Sequence, residues 1–192
     1  MPVLMVLLVV LPLAAVLVCV RAPHPVAAAV TVIAGVASFV LAIALVPFTA
    51  GRTITGLHYL RADALSVIFL LSTCFLYAVV AIYSVGYMAD EQRAVQFATT
   101  ERRAIFARYS SQFYLGLNAF AWAMICAPLV NDLALLWIAV EITTVVSALL
   151  VALDNTEGAT EAAWKYVLIA SSGLGIALLA TIFMYYAGAH VL

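Results

Sequence analysis

Charge is scarce in this chain: 9 % of its residues are Asp, Glu, Lys or Arg, and Lys165 is its single lysine. A soluble domain needs a charged exterior, so a sequence this poor in charge and 68 % hydrophobic is not built to face water. A net charge of −1 offers no basic patch and argues against nucleic acid as a partner. Cysteine is equally sparse. Cys19, Cys74 and Cys126 each stand alone in an apolar run, without metal-ligand spacing, and read as small buried hydrophobes. No P-loop, dinucleotide fingerprint, CxxC, HExxH or nucleophile elbow occurs. The chain is therefore expected to hold no cofactor and to do no redox chemistry of its own. The first apolar run has no Lys or Arg before it, unlike a cleavable signal. It is expected to remain as a helix with its N-terminus outside.

What the chain has is a succession of apolar runs, and these predict an all-α, polytopic membrane protein with about six transmembrane helices. The spans are read as Val3–Val20, Val26–Val46, Ala64–Tyr87, Phe113–Leu129, Asp132–Leu153 and Ala159–Leu192. Pro23 and Pro25 separate the first two. Between the second and third, Thr49–Arg61 contains Gly51 and Gly56 and suits a short hairpin. Asp63 is placed to cap the third span. Ala89–Gln112 reads as one long polar loop, with Arg93, Arg102, Arg103 and Arg108 against Asp90, Glu91 and Glu101. Its arginines predict that it lies in the cytoplasm, together with Arg21, leaving Arg52 and Arg61 outside. Three regions follow: 1–61 with two helices and an outer loop, 62–112 with the third helix and the Arg segment, and 113–192 with three further helices. The last span is unusually long, about 50 Å if fully helical. It either starts early or bends at Ser171-Ser172-Gly173-Leu174-Gly175.

Glu141 is the residue that asks for a function. After Asp132 at its head, it is the one charge within the fifth span, roughly 13 Å from an end at about 1.5 Å per residue. A carboxylate at that depth costs about 3 kcal/mol on insertion scales, so chains that keep one usually use it. Thr144, Ser147 and Ala148 follow at helical spacing and suggest a small, polar stripe beside it. The bland alternative is a carboxyl that merely bonds a neighbouring helix. Lys165 is the second candidate, against the alternative that it snorkels to the interface. A direct Glu141–Lys165 pair is not expected. Counted from the turn between their helices, they differ by roughly 9 Å in depth, and their side chains lean apart. Asn118, Asp63, His58, His190, Tyr185 and Tyr186 are lesser candidates, with Asn118 as polar support for the carboxylate.

Three stretches carry a family resemblance. Asp63-Ala64-Leu65-Ser66 opens the third span and Tyr83-Ser84-Val85-Gly86-Tyr87-Met88 closes it. Leu136-Trp137-Ile138-Ala139-Val140-Glu141 continues to Glu161-Ala162-Ala163-Trp164-Lys165-Tyr166. With these the chain resembles the antiporter-like, proton-translocating membrane subunits of complex I, Mrp-type antiporters and group 4 hydrogenases. Among them it looks most like the N-terminal part of hydrogenase-4 component F, of formate hydrogenlyase-type complexes. The resemblance implies proton or cation translocation coupled to electron transfer in partner subunits, in a bacterial plasma membrane. Glu141 then matches the family's fifth-helix glutamate and Lys165 its sixth-helix lysine. It also implies a longer fold of two inverted repeats. The seventh-helix lysine and the second repeat have no counterpart here, so a further chain is expected to supply the missing helices. Two other readings stay open: a non-transporting structural module of such a complex, and part of a cation/proton antiporter or inorganic-carbon transporter.

Overall fold

A computed structural model describes residues 2–56, 59–96 and 98–191; His58 lies outside the described residues, and His190 lies where no side chain is described. Six helices follow one another: α1 Pro2–Cys19, α2 His24–Thr49, α3 Ala64–Val95, α4 Thr100–Cys126, α5 Leu133–Ala152 and α6 Glu157–Val191. Between α2 and α3 lies an antiparallel hairpin, β1 Ile54–Gly56 with β2 Leu60–Ala62. The chain is thus an all-α, polytopic membrane protein with one small hairpin. Five of the helices are long and apolar enough to cross a membrane. The exception is α4, and its position explains why. It packs against α1, α2, α3 and α5, so protein rather than lipid surrounds it and polar side chains on it find partners.

The polar stretch Ala89–Gln112 corrects the expectation of a loop. α3 continues to Val95 and α4 begins at Thr100, so most of the stretch is helix. Nothing in it breaks a helix: it has neither Gly nor Pro, and Asp90 and Arg93 pair one turn apart at 3.2 Å. The two helices therefore run on past their apolar lengths and turn back over a few residues. α6 is likewise one continuous helix, from Glu157.

Small residues let α2 and α3 approach closely. A side chain begun at Gly35 of α2 would lie 3.1 Å from the Ala78 backbone and 3.3 Å from the Ala81 methyl of α3. Only a residue without Cβ lets these backbones come so near, as the small residues of this run suggest. The hairpin closes the end of the bundle at which α1 begins and α2 ends. It is tied to the α4–α5 connection by Arg61 N–H to the Leu129 carbonyl at 2.7 Å and Asn131 N–H to the Tyr59 carbonyl at 2.8 Å.

Two aspartates start helices. Asp132 accepts from the Leu135 N–H at 3.0 Å at the head of α5. Asp63 accepts from the Ser66 N–H at 2.8 Å and the Ser66 hydroxyl at 3.1 Å at the head of α3. The Ser66 backbone N–H, above all, holds the Asp63 carboxyl below the ordinary carboxylate range, with its hydroxyl and Arg61 adding to the effect. Asp63→Ala is expected to cost about 1 kcal/mol of unfolding free energy, and Asp63→Asn less. A depressed folded-state pKa means the carboxylate's contribution is full above its unfolded-state range and fades as pH falls through the folded value. The gap between wild type and Asp63→Ala should therefore narrow in acid. Unfolding in detergent micelles at neutral and acidic pH measures it, and a constant gap would contradict the charged cap.

Candidate functional site

Two groups of polar side chains inside the bundle bond from one helix to another; Ser38 and Thr49 are buried outside both. The first lies where α1, α2, α3 and α4 meet, and its centre is Asn118, which is fully buried. Its Nδ2 donates to Thr31 Oγ1 of α2 at 2.8 Å and lies 2.6 Å from the Tyr114 carbonyl one turn back. Its Oδ1 accepts from the Tyr77 hydroxyl of α3. Cys19 Sγ of α1 lies 3.5 Å from the same Nδ2. Thr31 in turn donates to the Ala27 carbonyl at 2.8 Å, and the Tyr114 hydroxyl reaches the Ser84 carbonyl at 3.4 Å. Both N–H groups of the Asn118 amide are thus used, and its oxygen accepts a bond as well. Buried polar groups satisfied in this way hold a packing arrangement rather than a reacting group.

The second place is the α5–α6 interface. Glu141 is half-buried there, and its Oε1 accepts from the Ser171 hydroxyl of α6 at 2.7 Å. The stripe predicted beside Glu141 exists but turns away from it. Thr144 Oγ1 donates to the Val140 carbonyl at 3.3 Å and Ser147 Oγ to the Thr144 carbonyl at 2.9 Å. With no water in hydrocarbon, hydroxyls of this kind fall back on their own helix. The indole N–H of Trp137, one turn before Glu141, is buried with no hydrogen-bond partner among the described residues.

Lys165 is elsewhere. It forms an ion pair with Glu161, one turn back on α6, and both side chains are about two-thirds exposed. The expected separation of Lys165 from Glu141 holds. Asn118, Thr144 and Ser147 likewise make no hydrogen bond to Glu141, which corrects the expectation that they support it. The residue that does, Ser171, stood out in the sequence only as part of a Gly/Ser run. Its signal was depth: counted from the α5–α6 turn, Ser171 lies level with Glu141. Of the three cysteines, Cys19 and Cys74 are buried and Cys126 is partly so, all as free thiols.

Known proteins share parts of this sequence. Residues 58–98, β2 and α3, match the family model described as NADH-ubiquinone oxidoreductase (complex I), chain 5 N-terminus. Over 132 residues, 69 % of the chain, the sequence is 28 % identical to "Hydrogenase-4 component F homolog" of Methylacidiphilum infernorum (isolate V4). The alignment takes in 26 % of that relative, so the chain spans about a quarter of the protein it matches. The likeness to the antiporter-like membrane subunits of complex I and group 4 hydrogenases, read from the residues, is therefore found by both comparisons.

The Asn118 network yields a test. Asn118→Leu keeps the volume but leaves the Tyr77 hydroxyl without its acceptor and Thr31 without its donor. A loss of about 1–3 kcal/mol is expected, the range for orphaning a buried polar group. Tyr77→Phe and Asn118→Leu combined should cost less than the sum of the two, since both remove one contact. Additive losses in micelle unfolding would show that the pair is not coupled.

Proposed function

We propose that this chain is part of an ion-translocating, antiporter-like membrane subunit, in an assembly of the hydrogenase-4 or complex I type, and that Glu141 is its reversible proton carrier. The observation that carries the reading is the 2.7 Å contact between Ser171 Oγ and Glu141 Oε1 across the α5–α6 interface. A hydroxyl is both donor and acceptor. It donates to Glu141 when that group is a carboxylate and accepts from it when it is a carboxyl. Ser171 can therefore hold the side chain in one orientation through both states, as a carrier requires. The unpartnered indole N–H of Trp137 supplies a further donor beside it for a transiting water or ion.

Lys165 takes a secondary role in this reading. Its ion pair with Glu161 sits nearer the α5–α6 turn than Glu141 does, roughly 9 Å along the axis. It would bias the proton's path by its charge rather than by touching the carboxylate. Electron transfer belongs to partner subunits, and the remaining helices of the path to whatever continues or accompanies this chain. The arginines of the α3–α4 end favour the cytoplasmic side of a bacterial plasma membrane, with the start of α1 outside.

The test is Glu141→Gln in the intact complex, reconstituted in vesicles with a pH-sensitive dye inside. Coupled ion movement is expected to be lost while the complex still assembles and transfers electrons. Ser171→Ala should leave a reduced rate with assembly unchanged, since it removes the partner and not the carrier. Transport at the normal rate in Glu141→Gln would overturn the carrier role and favour a structural module.

A further inference from the structure

Where α3 turns into α4 and α5 into α6, a groove of about 970 Å³ opens between the last turns of α3, the first turns of α4 and the end of α5. Its floor is apolar, with Ile105 and Leu149 both largely exposed. Its rim holds two cations, Arg102 and Arg108, and two carboxylates, Glu91 and Asp154. The ion pairs among the described residues lie elsewhere, at Arg61–Asp63, Arg93–Asp90 and Lys165–Glu161. The four rim charges thus face one groove without neutralising one another. Both carboxylates bear on the same phenol: burial first, then Tyr87 and these two negative charges, push Tyr109 up to about 12. The groove lies where apolar helices give way to polar turns, α5 ending at Ala152 and α6 beginning at Glu157. That is the level of lipid headgroups.

We propose that this groove binds the headgroup of phosphatidylethanolamine. Two cations beside two carboxylates complement a ligand that itself carries both signs. The phosphate lies against Arg102 and Arg108, the primary ammonium donates to Glu91 and Asp154, and an acyl chain follows Leu149 along the apolar floor. An anionic headgroup without an amine would satisfy the arginines and leave two carboxylates facing a like charge. A choline headgroup carries its positive charge on methyl groups and has no N–H to donate. The two features, basic and acidic, select the primary amine together.

Native mass spectrometry of the full chain released from a non-ionic detergent tests the proposal. Dioleoyl phosphatidylethanolamine, its N,N-dimethyl derivative, phosphatidylcholine and phosphatidylglycerol are offered at equal concentration. The wild-type protein is expected to retain phosphatidylethanolamine at least roughly tenfold over phosphatidylcholine, which can make neither bond to the carboxylates, with the dimethyl lipid, which keeps one N–H, between them. Arg102→Gln with Arg108→Gln should lower retention of phosphatidylethanolamine and phosphatidylcholine alike, since both carry the phosphate. Glu91→Gln with Asp154→Asn should shift retention toward phosphatidylglycerol. The series of amine-methylated lipids on the unaltered chain keeps the test independent of whether the variants fold. Equal retention of all four lipids, phosphatidylglycerol above phosphatidylethanolamine on the wild type, or no retained lipid would each overturn the proposal.

Discussion

The amide of Asn118 fixes where four helices stand relative to one another. A primary amide offers donors and an acceptor in one plane, and here they point to α2, to α3 and back along α4. Sliding any of these helices by one residue, about 1.5 Å, would break a bond with no water at hand to replace it. The apolar surfaces around it are less particular. Leu, Val and Ala on these helices would pack nearly as well in a neighbouring register, but the amide would not. The close approach of α2 and α3 at Gly35 follows from the same register, because only that alignment puts the glycine opposite Ala78 and Ala81.

The pair α5 and α6 is held differently. α6 packs on α5 and, Ala163 apart, its described side chains are not buried within the chain. A hydroxyl on a carboxylate, Ser171 on Glu141, ties it to α5. The carrier role proposed for Glu141 would suit such a place better than the Asn118 network, where a change at one partner leaves another without its bond. The division is physical: four helices locked by a saturated amide, then a looser pair that carries the one carboxylate in its apolar stretch.

Much of this was legible in the residues. Apolar runs of bilayer length announced the helices, Asp63 and the glycines announced the cap and hairpin, and counting depth from a turn kept Lys165 apart from Glu141. The same count, taken one step further, reaches Ser171, whose place in a Gly/Ser run drew attention to bending instead. Asn118 is harder to read. Its partners come from three other helices at long sequence distance, and no local spacing announces Tyr77 or Thr31. Ala89–Gln112 is polar without being a loop: polarity reports contact with water, and a helix can stand in water as well as a turn can.

That continued helix has a mechanical consequence. From Met88 to Val95, α3 rises about 10 Å beyond its apolar part, and the early turns of α4 stand beside it. The two form a short post on that face of the membrane. A soluble body resting on this face cannot lie flat against the lipid unless its own surface is recessed to receive the post. The post would then also stop it from rotating freely about the membrane normal, which gives a docked partner a fixed azimuth as well as a fixed height.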